Sequence, residues 1–430
     1  MAVKDWNNKT LLLTIFITAF LIRIGYILFV FGINYVDNPD SWSYNNYAVS
    51  LISGEGYKDG DTKAARPPGY PLLLAAVYSV FGRSYPAVKV IQAVVSSLTC
   101  VFIYLIALKS IGKSAAVFSG FFSCIFFSLF EMPAHILAEP LVTFLTALSI
   151  LLFLYTDEYP PNIFIAAVVL GLATLTRTVT LIFPPFICLW FFIKYSGRKA
   201  VKYCIVMLAG FILTILPWTM RNFVVYKTFI PINIQAGLVF LGSNNSLSQG
   251  KFNDQWKEHS PKWEEYIRLP ELESNKALFE LGLDWLKKRT FFQLIKLYFL
   301  KTCTFFYPFL SEPSTKYDLT FGIILPFWLL GIYLSIKTVN RQNLLMVFVI
   351  LVYYIQTLIF YANERLRSPI TPYMIILAAT GIESIYNRFK NKMHNYILFG
   401  SWIVFNILLY SYSQNIHYLM RILIKKLRGI

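Results

Sequence analysis

Two acids, Asp37 and Asp40, stand three residues apart in Asp37-Asn38-Pro39-Asp40, at the head of a polar stretch running from Tyr35 to Tyr70. A carboxylate held beside an apolar surface can keep a raised proton affinity and act as a general base. The same residues also suit a turn and a cap for a helix starting near Ser41. The stretch adds aromatics, two glycines (Gly54, Gly56) and the turn Arg66-Pro67-Pro68-Gly69. So specific a mixture exceeds what a simple connection needs. We read it as a surface loop carrying an acid that deprotonates an acceptor.

Three further sets of residues could join that acid. Glu139, preceded by His135, falls at one end of an apolar run. It could pair with Asp40, hold a divalent cation through oxygen ligands, or cap a helix. Arg177 closes GLATLTR; a buried guanidinium needs an anion and its planar fork suits phosphate, whereas a lone Arg can also snorkel to the interface. Arg221 in PWTMRN, and Arg365 and Arg367 in NERLRSP, fall on the side where basic residues are disfavoured. An anionic ligand is the simplest cause, although Glu364 could pair with one of the last two.

The elements that must position these residues are hydrophobic. Of 430 residues, 57% are hydrophobic and 14% charged, with a mean hydropathy of +0.56; soluble domains carry about 25% charged residues. We expect an all-α polytopic membrane protein of about eleven transmembrane helices, at roughly 10–32, 85–109, 114–131, 136–155, 162–178, 179–195, 203–219, 319–336, 344–361, 369–386 and 395–412. Amphipathic surface helices are expected in the first outer loop, at Ser41–Ser53 and over 67–82. The first apolar run is too long for a signal-peptide core.

Lys109, Lys113, Lys194, Arg198, Lys199, Lys202, Lys337 and Arg341 then share a cytoplasmic side. The long loops 33–84 and 220–318 face outward. The apolar run Thr290–Leu310 is assigned to the outer surface, lying flat with Lys296 and Lys301 towards water. The chain reads as one domain, 1–430, ending in a basic amphipathic tail over 413–430. This count leaves the tail outside, against its charge.

The net charge of +17 follows from these basic loops and does not require nucleic acid. Five scattered cysteines show no metal-ligand spacing. There is no P-loop and no Gly-x-Gly-x-x-Gly after a strand. A nucleotide-sugar donor would need such machinery, so a phosphate donor delivered through the membrane fits better.

These stretches resemble the integral-membrane C-type glycosyltransferases, in particular the family of dolichyl-phosphate-mannose protein mannosyltransferases and aminoarabinose transferases. In that family the first outer loop carries an Asp, a Tyr four residues on, an Ala eight on, then Gly-x-Gly-aromatic. Asp40, Tyr44, Ala48, Gly54, Gly56 and Tyr57 follow the pattern, and RPPGYPLLLA, LAEPLV, GLATLTR, LPWTMRN, GSNN and ERLRSPITP match further elements in order. The resemblance covers about 35–385.

It implies an inverting transferase that moves a sugar from a polyprenyl-phosphate donor to a lipid, glycan or protein acceptor, on the outer face of a bacterial or archaeal cytoplasmic membrane. It further implies Asp40 as catalytic base and Arg66, Arg177, Arg221, Arg365 and Arg367 around the donor phosphate. Asp37, Glu139 and His135 stand as second acid, acceptor-positioning groups or ligands of a divalent cation. Tyr44, Tyr70, Asn244 and Asn245 lie in loops meeting donor or acceptor. One departure is the spacing of the acids, three apart where many relatives have adjacent or one-apart carboxylates. A transporter or flippase, or a ligase of lipid-linked glycans, is the alternative reading.

Overall fold

The computed structural model describes residues 8–36, 38–248, 251–253, 255–257, 263–309, 317–388 and 392–413. Asp37 and the tail beyond 413 lie outside the described residues. The described chain is helical, its only β-pairing two isolated bridges.

Helix α1 (Asn8–Tyr26) runs into a π-helical turn (Ile27–Phe31). Two short helices follow, α2 (Pro39–Ile52) and α3 (Gly69–Phe81), then α4 (Tyr85–Ser110), α5 (Lys113–Ile125) and α6 (Phe127–Glu131). Next come α7 (Glu139–Leu154), α8 (Asn162–Thr176), α9 (Phe183–Lys194) and α10 (Gly197–Tyr226). The second long loop holds α11 (Ala236–Ser243), α12 (Trp263–Ile267), α13 (Glu271–Lys287) and α14 (Phe291–Phe306). The chain continues with α15 (Leu319–Lys337), α16 (Arg341–Ile359), a 3-10 turn (Glu364–Ile370), α17 (Thr371–Arg388) and α18 (Lys392–Ser411).

Every expected span falls on a helix, and the two expected surface helices are α2 and α3. Among the described residues six helices are long and apolar enough to cross a membrane, seven if α5 and α6, bent by 57°, count as one. The count of eleven is not reached because helices such as α7 are short. Its 16 residues give ~24 Å against a hydrocarbon core of ~30 Å. Helix α7 is largely buried, packed on α4 and α8.

The basic residues of the short loops gather at one end. Lys194 pairs with Asp157 at 2.8 Å, Lys109 pairs with Glu158, and the Trp190 indole donates to the Arg341 carbonyl. At the opposite, long-loop end the helices are started by local caps. Asn38 accepts from the Asp40 amide and Pro39 fills the first position of α2, and Asp318 caps α15; Asn340 caps α16 at the basic end.

Close approach fixes the bundle at two glycines. A Cβ at Gly331 would sit 1.9 Å from the Leu377 carbonyl oxygen, so α15 and α17 pack backbone to backbone. A Cβ at Gly69 would lie 2.6 Å from Thr176 Oγ1, which presses the start of α3 against the end of α8. That contact sets the Arg-Pro-Pro-Gly turn beside Arg177.

One expectation fails here. In α14, Lys296 is exposed, but Lys301 is fully buried. Its Nζ donates to Asn244 Oδ1 and to the carbonyls of Leu358 and Ile359, at the end of α16. Leu297, Lys301 and Phe305 share the inward face at four-residue spacing. Burial pushes the Lys301 ammonium down to about 7.

Candidate active site

Asp40 lies in the first turn of α2, where the Asn38 cap orients the helix start and the helix dipole favours an anion. Its Oδ1 accepts from Arg66 Nη2 at 2.7 Å, and its Oδ2 from Arg365 Nη2 at 2.8 Å. Arg66 is braced by Ser43 Oγ, 3.3 Å from its Nε, and by the Tyr44 ring, whose centroid lies 5.1 Å from its Cζ. Arg365 is aimed by Asn363, whose side chain accepts from the Arg365 amide at 2.8 Å.

Arg365 continues to a second acid. Its Nε lies 2.9 Å from Glu139 Oε1, which also accepts from Arg177 Nη1 at 2.5 Å. Five charged groups therefore form one alternating ladder: Arg66, Asp40, Arg365, Glu139, Arg177. Within it the Glu139 side chain is 2% exposed and Asp40 28%. The acid that a solute can reach is Asp40; Glu139 holds two guanidiniums in place.

Burial alone would raise the Asp40 carboxyl, but Arg66 and then Arg365 outweigh it and hold that group well below the usual carboxylate range. Arg365, despite burial, is held raised by Glu139 and Asp40. All three loop members of the ladder are therefore ionised at neutral pH.

Among the described residues, the remaining expected site residues do not join the ladder. His135 Nε2 lies 2.6 Å from Glu131 Oε1. Arg367 stacks on the Phe321 ring at 4.0 Å and donates to the Tyr307 carbonyl, facing buried Asp318. Arg221 donates to the carbonyls of Lys63 and Tyr57 and stacks on Trp218, so it clamps the first loop to α10 rather than presenting a fork to phosphate. Tyr44 supports Arg66, and Tyr70 is fully buried, its hydroxyl donating to Gln92. Asn244 and Asn245 are buried, with amides spent on the carbonyls of Phe240, Ile359 and Leu241.

The acids also fit a divalent cation poorly. Both Asp40 oxygens and Glu139 Oε1 face guanidinium donors, and Arg365 occupies the position between the two carboxylates. Among the described residues no group of three or more His, Cys, Asp or Glu could hold a metal.

Two positioning residues carried no sequence signal of their own. Asn233 accepts from Thr178 Oγ1 at 2.7 Å and donates to the Ala65 carbonyl, tying Arg177 and Arg66 to one point. Lys89 donates to the carbonyls of Gly32 and Tyr35, fixing where the first loop leaves α1.

Comparison with known proteins gives one family match and several matches of fold. Residues 65–220 match the family described as dolichyl-phosphate-mannose-protein mannosyltransferase. No curated protein sequence matches the chain. The archaeal oligosaccharyltransferase AglB from Archaeoglobus fulgidus, in complex with an inhibitory peptide and a dolichol-phosphate, superposes at a TM-score of 0.56 and 16% identity, over 96% of this chain and 56% of that one. The apo Archaeoglobus fulgidus oligosaccharyltransferase gives 0.58 and 16%, over 95% and 55%. ArnT from Cupriavidus metallidurans, bound to undecaprenyl phosphate, gives 0.44 and 12%, over 88% and 78%. The chain spans a little over half the length of the oligosaccharyltransferases whose fold it shares.

Proposed function

We propose that this chain, which belongs by fold to the C-type glycosyltransferases, moves a sugar from a polyprenyl-phosphate carrier to an acceptor, with inversion at the anomeric carbon. The observation that carries this reading is the ladder through Asp40 and Arg365. Its three guanidiniums and two carboxylates sum to +1 (3 − 2). A sugar on polyprenyl phosphate is a phosphodiester bearing one negative charge, so donor and ladder neutralise each other.

The charge also follows the reaction. The acceptor oxygen attacks the anomeric carbon, the bond from that carbon to the phosphate oxygen breaks, and the acceptor proton passes to Asp40. Polyprenyl phosphate leaves as a monoester with a second negative charge. At that moment Asp40 is neutralised and the ladder rises to +2. Attraction that grows along the reaction coordinate stabilises the transition state more than the ground state.

Donor binding would also tune the base. While Arg66 and Arg365 grip it, Asp40 takes a proton poorly. An incoming phosphate competes for those donors, and its charge raises the proton affinity of the carboxylate beside it. Asp40 then becomes an effective base only in the loaded enzyme.

In this reading 33–84 is the catalytic loop, 220–318 a second loop over the same face, and 1–430 one unit. The basic residues at the opposite end support an outward orientation of that face, in the cytoplasmic membrane of a bacterium or archaeon. A transporter would set its charged site near mid-membrane between broken, repeated helices; the ladder lies instead at helix ends and in loops.

The test supplies purified protein with polyprenyl-phosphate sugars and candidate acceptors, and measures release of free polyprenyl phosphate with formation of glycosylated product. Nucleotide sugars should give no product. Turnover of a nucleotide sugar, or lipid flipping without bond cleavage, would contradict the reading.

A further inference from the structure

The helix that presents Asp40 has a second polar face. Asp40, Ser43, Tyr44 and Tyr47 line one side of α2, while Trp42, Asn45, Asn46, Val49 and Ser53 lie about half a turn away. That second side forms a wall of an open groove of about 350 Å³, with Asn45, Asn46, Ser50, Lys58, Asp59 and Arg83 among its lining residues. Its size lies within the ~300–1,000 Å³ typical of small-ligand sites.

The chemistry of the lining selects the ligand. Glu55 and Asp59 balance Lys58 and Arg83, so the formal charge is zero. Such a site has no net attraction for phosphate or for a cationic peptide. The polar groups are held in place: Asp59 accepts from Ser43 and Asn46, each at 3.0 Å, and Arg83 Nε donates to Asn45 Oδ1 at 3.0 Å. The Ser50 and Ser53 hydroxyls donate to main-chain carbonyls, leaving their lone pairs as acceptors. Beyond Arg83, which donates to the Tyr85 hydroxyl, the Trp42 ring stands edge-on to Tyr85 and is 47% exposed. Fixed amides, hydroxyls and paired charges beside an open aromatic face suit the hydroxyls and the apolar face of a sugar.

The groove is also wired to the ladder. Ser43 Oγ donates to Asp59 Oδ2 and accepts from Arg66 Nε, whose Nη2 bonds Asp40. A ligand touching both groove and Asp40 must reach around a helix ~10–12 Å across, which a single sugar does not do.

We propose that this groove binds the non-reacting sugars of a neutral oligosaccharide acceptor, whose reacting hydroxyl extends to Asp40. The acceptor role rests on the transferase reading above; the binding itself does not. The test applies purified full-length protein to an array of neutral oligosaccharides, with phosphatidylglycerol vesicles in a parallel arm. Wild type and Asp40→Asn should bind the same neutral oligosaccharides. Trp42→Ala and Asn46→Leu should each lose about tenfold in affinity, at an unchanged melting temperature. Should either fail to fold, Val49→Trp blocks the groove from its apolar wall and should give the same loss.

Absence of neutral oligosaccharide binding by wild type, equal binding by the groove variants, or groove-dependent binding of vesicles instead of glycans would overturn the proposal. Full transfer activity in Asp40→Asn alongside groove-dependent glycan binding would refute the base assignment and leave the groove standing. An unchanged acceptor KM in folded groove variants would refute the groove and leave the base assignment standing.

Discussion

Arg365 bonds two carboxylates at once: its Nη2 reaches Asp40 Oδ2 at 2.8 Å and its Nε lies 2.9 Å from Glu139 Oε1. A residue on the turn between α16 and α17 thereby joins the first loop to the start of α7. With Arg66 and Arg177 at its ends, this contact makes five charges a single site.

Removing the base should separate chemistry from binding. Asp40→Asn is expected to lower turnover ~100–10,000-fold, the usual worth of general-base catalysis. It also raises the ladder to +2, so donor affinity should increase by about fivefold, or ~1 kcal/mol even in a water-like dielectric. Transfer kinetics and donor binding by fluorescence check the two arms. Weaker donor binding would show that Asp40 holds the arginines in their working positions.

The joint itself should matter to both rate and stability. Arg365→Gln is expected to lower turnover ~100–1,000-fold, as for loss of one preorganised donor. Glu139→Ala leaves Arg177 and Arg365 without their buried partner and should cost ~3–5 kcal/mol of stability. Single-turnover rates and thermal unfolding in detergent distinguish the two effects.

Two arginines should behave differently. Arg367→Lys weakens the contacts with Phe321 and Tyr307, and Arg221→Lys loosens the clamp on Tyr57 and Lys63. Both should lower the melting temperature while leaving the donor KM within about twofold, since neither guanidinium belongs to the ladder. A selective rise in donor KM would return either one to the phosphate site.

The pH dependence has a definite sign. Asp40 is held below its ordinary value of ~3.9, so its charged form contributes stability above ~pH 4, and that contribution is lost only as pH falls towards the lower folded value. Wild-type kcat/KM should therefore stay level from pH 7 down to about 5. In Arg66→Gln the carboxyl loses its strongest charge partner and moves up, so the acid limb should shift to higher pH. Profiles of kcat/KM for the two proteins test this directly.

Much of the fold and part of the candidate site were legible in the sequence, for identifiable reasons. Long apolar runs located the helices, and the polar mixture from Tyr35 to Tyr70 located Asp40 and Arg66. Arg177 and Arg365 stood out as buried or wrongly sided arginines, although nothing in the spacing said that Arg365 would bridge both acids. Arg367 shows the limit of that reasoning. On a 3-10 turn of three residues per turn, a side chain two positions on points about 240° away, so Arg367 leaves the site that Arg365 enters. Asn244 and Asn245 look like ligands in sequence because an amide bonding its own backbone uses the same residue type. Lys301 was misplaced because charge was weighed above register: its four-residue spacing to Leu297 and Phe305 already marks the buried face.

The most direct measurement of the central claim is the position of the phosphate in a cryo-EM structure of Asp40→Asn with bound polyprenyl phosphate. The account predicts a phosphate within hydrogen-bond distance of Arg365 and of Arg66 or Arg177, beside residue 40. A phosphate seated on Arg221 or Arg367, with the ladder arginines still turned towards Glu139 and residue 40, would contradict it.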